Sequence, residues 1–318
     1  MSELFKKILE AEKRISAFVF KTPLIKSLYL SQLVNGNVYL KLESEQITGS
    51  FKARGAFNKI LYLHENKSTE KIIAASTGNH ALGVANALSK IRKSGKLVVP
   101  ETIVSSKFEA LKLFNVEIIK HGRDCLDAEN YAKMLAQNEY LEYISPYNDI
   151  YIIAGQGTCG IEILNQTTVN IDNIFVTVGG GGLISGIGTY AKKINPEIKI
   201  YGCQPENSPE MALSIRYNKY TTVEIIETLS DGSAGAFEEN SITYELCKQL
   251  VDEFFIINEN DIAKTMNLVL KKERKLIEGS AAVAVASFVN NYERFKNQNS
   301  VIVICGGNVS NFSFINYQ

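Results

Sequence analysis

Lys52 sits in Ser50-Phe51-Lys52-Ala53-Arg54-Gly55-Ala56, a stretch made largely of small and apolar side chains. On a protein surface a lysine is a solvated charge. Pressed into apolar surroundings it loses proton affinity, because desolvation disfavours the ammonium form. Its amine then becomes nucleophilic and able to form a Schiff base. Taken alone, Lys52 reads as part of a charged helix face. Reactive chemistry requires that the rest of the chain supply a cofactor.

Four other clusters bear on that requirement. Gly179-Gly180-Gly181-Gly182 follows an apolar run and precedes a helical one that begins at Leu183. Consecutive glycines let backbone N–H groups converge, and a helix N-terminus adds partial positive charge, so the loop suits a phosphate. No Gly-Lys-Ser/Thr follows, which excludes a nucleotide loop of the lysine type. The match Gly186-Ile187-Gly188-Thr189-Tyr190-Ala191 lies inside the helix and reads as chance. Ser76-Thr77-Gly78-Asn79-His80 opens another helix and suits a carboxylate, although simple capping explains it equally well. Glu278 reads as a first-turn acid and Cys305 as a buried core thiol.

These clusters need strands and helices to position them. Strands are predicted at 38–42, 71–75, 97–99, 116–119, 140–144, 174–178, 198–203 and 301–305. Helical patterns lie between them, notably at 80–90 and 183–192. The alternation predicts an α/β protein with mainly parallel sheets flanked by helices. Such sheets place ligands beyond the carboxyl ends of their strands. Ser76 to His80, Gly179 to Gly182, Gln204 to Asn207 and Cys305 to Asn308 all fall at predicted strand ends. Two facing sheets would bring them to one crevice. Residues 45–145 are expected to form a smaller domain, with 1–44 and 146–318 forming a larger one and 140–149 crossing between them.

The chain has 318 residues, 45% hydrophobic and 21% charged, enough for two substantial cores. Lys plus Arg and Asp plus Glu each number 34, so bulk charge implies no nucleic-acid partner. The five cysteines are scattered, with no CxxC pair, which fits a reducing compartment. No apolar stretch suits a signal peptide or a membrane span. Cytoplasmic residence, no membrane association and a homodimer or higher homo-oligomer are the expectations.

In this order the motifs resemble the fold type II pyridoxal-phosphate enzymes, in the threonine/serine dehydratase and serine racemase branch. The resemblance runs from Thr22-Pro23-Leu24 to Asn308 and includes Ala154-Gly155-Gln156-Gly157-Thr158. It implies a cofactor crevice between two domains, as in the tryptophan synthase β-like fold. Lys52 would form the Schiff base and later move the α-proton. Phe51 would pack beside the ring, Asn79 would bond its hydroxyl, and Gly179 to Gly182 with Leu183 would hold the phosphate. Ser76, Thr77, Asn79 and His80 would surround the substrate carboxylate. Cys305 would face the pyridine nitrogen, with Glu278 near the ring.

The implied reaction is dehydration and deamination of L-threonine or L-serine to a 2-oxo acid and ammonia. The β-hydroxyl would leave with acid help from the cofactor phosphate. A thiol cannot supply a carboxylate's charge to the ring nitrogen, which favours prompt elimination over transamination. The alternatives are a serine racemase and a dehydratase of another β-hydroxy amino acid, such as 3-hydroxyaspartate. Racemases of the branch carry serine where Thr77 stands. A second substrate carboxylate would call for a base, with Arg54 and Arg123 as candidates. β-Replacement is disfavoured because His80 stands where that group has threonine. A non-catalytic binding module would be expected to have lost the lysine. The branch often holds Mg or Ca at the segment matching Gln204 to Glu210. Ser208 and Glu210 are the candidate ligands, and Gln204 replaces an acid, which weakens a hard-cation site.

Overall fold

The computed structural model describes residues 2–66, 71–224, 226–309, 312 and 314. Its strands are β1 (Leu24–Lys26), β2 (Asn37–Leu42), β3 (Ile72–Ala75), β4 (Lys96–Val99), β5 (Glu117–Lys120), β6 (Glu142–Tyr143), β7 (Asn173–Thr177), β8 (Lys199–Pro205), β9 (Glu253–Ile257) and β10 (Asn299–Ile304). They form a six-stranded sheet in the order β1-β2-β10-β7-β8-β9 and a four-stranded sheet in the order β5-β4-β3-β6. Every pairing is parallel except β1 with β2. Helices cover the sheets, so central strands such as β3 and β7 are buried along their whole length. No helix among the described residues is long and apolar enough to cross a membrane.

Each sheet has its own core. Under the larger one, Phe175 stacks on Tyr201 at 4.9 Å and meets Phe288 and Phe295 edge-on. Under the smaller one, Phe57, Ile60, Ala74, Val84 and Leu97 are buried together. Two strands lie outside the predicted set. β1 has three residues, too few to show a period. β9 closes one edge of the larger sheet, and its Ile256 is exposed.

The helix Ile150–Gln166 positions the lysine helix and the glycine-loop helix together. Its Gly155 lies against the helix Lys52–Glu65, where a Cβ would stand 2.5 Å from the Arg54 carbonyl oxygen. On its other side it meets Gly186 of the helix Gly182–Ile194, where a Cβ would stand 2.5 Å from the Gly157 nitrogen. Only hydrogen-sized side chains permit approaches this close. The internal Gly186-Ile187-Gly188 match is thereby accounted for by packing: Gly186 seats one helix on the other.

Candidate active site

A cleft opens between the two sheets. It is lined by segments beyond the carboxyl ends of four strands: Asn79 after β3, Pro146 and Tyr147 after β6, Gly179 to Leu183 after β7, and Cys305 after β10. Phe51 and Lys52 enter from the start of their helix, and Glu278 and Ser280 from the start of the helix Gly279–Asn290. Phe51, Lys52, Asn79, Gly179, Gly180, Gly181, Gly182, Leu183, Glu278 and Cys305 therefore share one wall-to-wall site. Gln204 to Asn207 do not line it, although they too follow a strand.

Lys52 Nζ donates to the Pro146 carbonyl oxygen at 2.9 Å. Among the described residues it has no carboxylate at ion-pair distance. Burial pushes its pKa down to about 8, against a smaller upward pull from Cys305 and Glu278. A lysine with that proton affinity reacts earlier in a titration. In cofactor-free protein, acylation of Lys52 should reach half its maximal rate at pH about 8, whereas surface lysines respond near pH ~10. Peptide-resolved mass spectrometry of a pH series would separate the two. A Lys52 profile coincident with the surface lysines would contradict the environment described.

Opposite the amine, Asn79 Nδ2 donates to both Glu278 carboxylate oxygens, at 3.1 and 3.0 Å. Asn79 Oδ1 accepts from Asn308 at 2.7 Å. The amide is thus fixed in orientation, with Nδ2 shared between the two Glu278 oxygens. Burial raises Glu278 to a pKa of about 7, opposed by the Asn79 bond. The Cys305 thiol lies 3.9 Å from Glu278 and is pushed well above its ordinary pKa by burial and by that carboxylate. It stays a neutral thiol.

At the far end, Gly181 has φ +84°, a left-handed conformation that turns the loop into the helix Gly182–Ile194. No side chain caps that helix. Its free N–H groups face the cleft without a competing oxygen of their own, the arrangement a phosphate needs. The helix Asn79–Lys90 is likewise uncapped by any side chain. Its first N–H groups, at Asn79, His80 and Ala81, have no intrahelical acceptors.

The carboxylate residues divide. Ser76 and Thr77 are half-buried beside that helix start but do not line the cleft itself. The His80 ring is turned away: it is buried, its Nε2 meets the Ile144 carbonyl oxygen at 2.8 Å, and burial pushes its pKa down to about 3. Any part it takes in anion binding comes from its backbone N–H. Pro146, Tyr147, Thr177 and Ser280 line the cleft without having been predicted. Thr177 ends β7 two residues before the first glycine, a signal available in the sequence; Tyr147 lies in an irregular crossover and carries none.

The residues expected at a cation site are hydrogen-bonded to one another. Ser208 Oγ donates to Glu210 at 2.7 Å, and Gln204 Nε2 donates to the Ser208 carbonyl oxygen at 3.3 Å. Gln204 Oε1 accepts from the Ala212 N–H at 2.7 Å. Hydrogen-bond donors therefore occupy the oxygens a cation would use, and one carboxylate remains. Among the described residues no group of three His, Cys, Asp or Glu is placed to hold a metal. With a single carboxylate, Ser208 and Glu210 offer a weak set of ligands for Mg or Ca. The two candidate arginines are also accounted for. Arg54 is fully buried in ion pairs with Glu43 and Glu162, and Arg123 is exposed.

An unpaired amine, two uncapped helix starts and a neutral thiol across one cleft fit a phosphorylated aldehyde cofactor carrying an amino acid. Comparison with known proteins agrees. The family model described as pyridoxal-phosphate dependent enzyme matches residues 15–306. The catabolic L-threonine dehydratase of Staphylococcus aureus is 40% identical over 306 residues, covering 95% of this chain and 88% of the relative. The structure of maize serine racemase superposes with a TM-score of 0.90 at 30% identity, covering 96% of this chain and 94% of that one. The processed threonine deaminase isoform 2 of Solanum lycopersicum gives 0.90 at 32% identity, covering 99% and 92%. The chain belongs to the pyridoxal-phosphate dependent enzyme family.

Proposed function

We propose that this protein deaminates L-threonine, L-serine or both, releasing a 2-oxo acid and ammonia. The observation that carries the reading is the Lys52 amine, held in the cleft without a carboxylate partner and depressed to a pKa of about 8. Such a group is poised to take a proton near neutral pH. When bound, pyridoxal phosphate supplies the electron sink that acidifies the amino acid's α-hydrogen. The chain's own residues do the rest. Gly179 to Gly182 and Leu183 hold the phosphate through backbone N–H groups, and Phe51 flanks the ring. The start of the helix Asn79–Lys90, with Ser76 and Thr77 beside it, binds the carboxylate. Lys52 Nζ accepts the α-proton. Cys305, neutral, leaves the pyridine nitrogen without a formal counter-charge, which favours rapid loss of the β-hydroxyl.

Two features weigh against the rivals. Thr77 carries a methyl with restricted rotamers where racemases of the branch carry serine, which disfavours it as the second acid/base that inversion needs. Arg54 is committed to buried carboxylates, so it cannot receive a second substrate carboxylate. Under the same reading, residues 45–145 form a smaller domain, and 1–44 with 146–318 form a larger one. The protein then works in the cytoplasm as a homodimer or higher homo-oligomer. Five free cysteines support the reducing compartment.

The test is to supply cofactor-loaded protein with L-threonine, L-serine and D-serine separately, following 2-oxo acid and chirality. The expected result is 2-oxo acid from an L-hydroxy amino acid. Inversion of serine without 2-oxo acid would replace the deaminase with a racemase.

A further inference from the structure

Two lysines from helices beside the smaller sheet reach one segment beside the larger sheet. Lys133, in the helix Cys125–Asn138, donates to Glu238 at 2.7 Å. Glu238 is also bound by the Asn148 amide, and its own N–H donates to the Tyr147 hydroxyl at 2.8 Å. That contact is a saturated structural joint. The second differs. Lys107, in the helix Ser105–Lys112, donates to Asp231 Oδ2 at 2.9 Å. The Asp231 side chain remains 54% exposed. It directly precedes Gly232 and Ser233, which line the cleft. The charges of Lys107 and Asp231 act on Glu278 inside the cleft. The pair stands at the rim, beside the cleft-lining Gly232 and Ser233, and the helix that carries Lys107 packs against Asn79–Lys90.

We propose that Asp231 determines specificity, neutralising Lys107 at the rim so that the cleft prefers β-hydroxy amino acids with a single carboxylate. This rests on the deaminase reading above. A substrate with a second carboxylate must displace Asp231 from Lys107 and then lie beside an uncompensated negative charge. Both effects act in the same direction, by withholding an attraction and adding a repulsion. Of the cations considered for such a substrate, Arg54 is buried in ion pairs and Arg123 is exposed and does not line the cleft. Lys107 is the one that a single change would release.

The experiment compares cofactor-loaded wild type, Asp231→Asn and Asp231→Asn/Lys107→Ala. For each, kcat/KM is measured for L-threonine and for 3-hydroxyaspartate, and thermal protection is measured with malonate and with acetate. Asp231→Asn should raise the preference for the dicarboxylate at least about fivefold. The double variant should return it to the wild-type ratio. Malonate should protect Asp231→Asn more than wild type, while acetate protects both alike. An unchanged ratio with threonine turnover intact would overturn the proposal alone, as would a gain that survives loss of Lys107. A wild type that turns over neither threonine nor serine overturns the deaminase reading instead, and the malonate comparison then decides the role of Asp231 by itself.

Discussion

Replacing Lys52 with alanine should lower ammonia release from L-threonine by at least about a thousandfold, since a positioned proton acceptor and a covalent anchor are lost together. The lysine's environment argues for both roles. Its amine meets only the Pro146 carbonyl oxygen, and burial lowers its pKa to about 8. Lys52→Arg gives the sharper form of the prediction. It keeps the positive charge but cannot shed a proton in the working pH range. If charge alone mattered, the arginine variant would retain activity. The account expects it to be as inactive as alanine, while the uncapped glycine loop still holds the cofactor non-covalently. Steady-state ammonia release together with cofactor retention on gel filtration separates these outcomes.

Arg54→Met should destabilise the folded protein by about 3–5 kcal/mol, because it strands buried carboxylates without their partner. Arg54 is fully buried and binds Glu43 through Nε at 2.7 Å and Glu162 through Nη1 at 2.7 Å. Lys41, also fully buried, completes the cluster at 2.5 Å from Glu162. Burial alone would raise the Glu43 carboxyl, but Arg54 overrides it and holds that pKa below the ordinary value. Two positive and two negative side chains thus compensate one another away from water. The cluster joins β2, the helix that begins at Lys52 and the helix Ile150–Gln166. Its loss should therefore loosen the base of the site as well as the core. Urea denaturation of wild type and variant measures the effect. A shift within 1 kcal/mol, in line with the ~0–1 kcal/mol worth of an exposed pair, would show that the cluster carries no such burden.

Much of the site was legible in the chain because its parts are local. Four glycines after an apolar strand, or a lysine behind Ser-Phe, are read within a few residues. The parallel sheets were legible for the same reason, since strand and helix periods alternate along the sequence. What was not legible depends on distant residues meeting. Lys41 and Glu162 are 121 positions apart, and nothing local pairs them. His80 lies in a motif that suggests a ligand-facing imidazole, yet the carbonyl of Ile144, just past β6 and 64 positions away, claims the ring. Gln204 to Asn207 occupy a strand end like the other three clusters. The hydrogen bonds of Gln204 to Ser208 and Ala212 fold that segment onto itself instead of opening it to the cleft.

The most direct test of the site is covalent. Cofactor-loaded protein is treated with borohydride, which converts a Schiff base to a stable amine, and the modified lysine is located by peptide mass spectrometry. The account predicts one modified residue, Lys52, and loss of that modification when L-threonine is turning over at the moment of reduction. Modification of any other lysine, or none at all in protein that has bound pyridoxal phosphate, would contradict it.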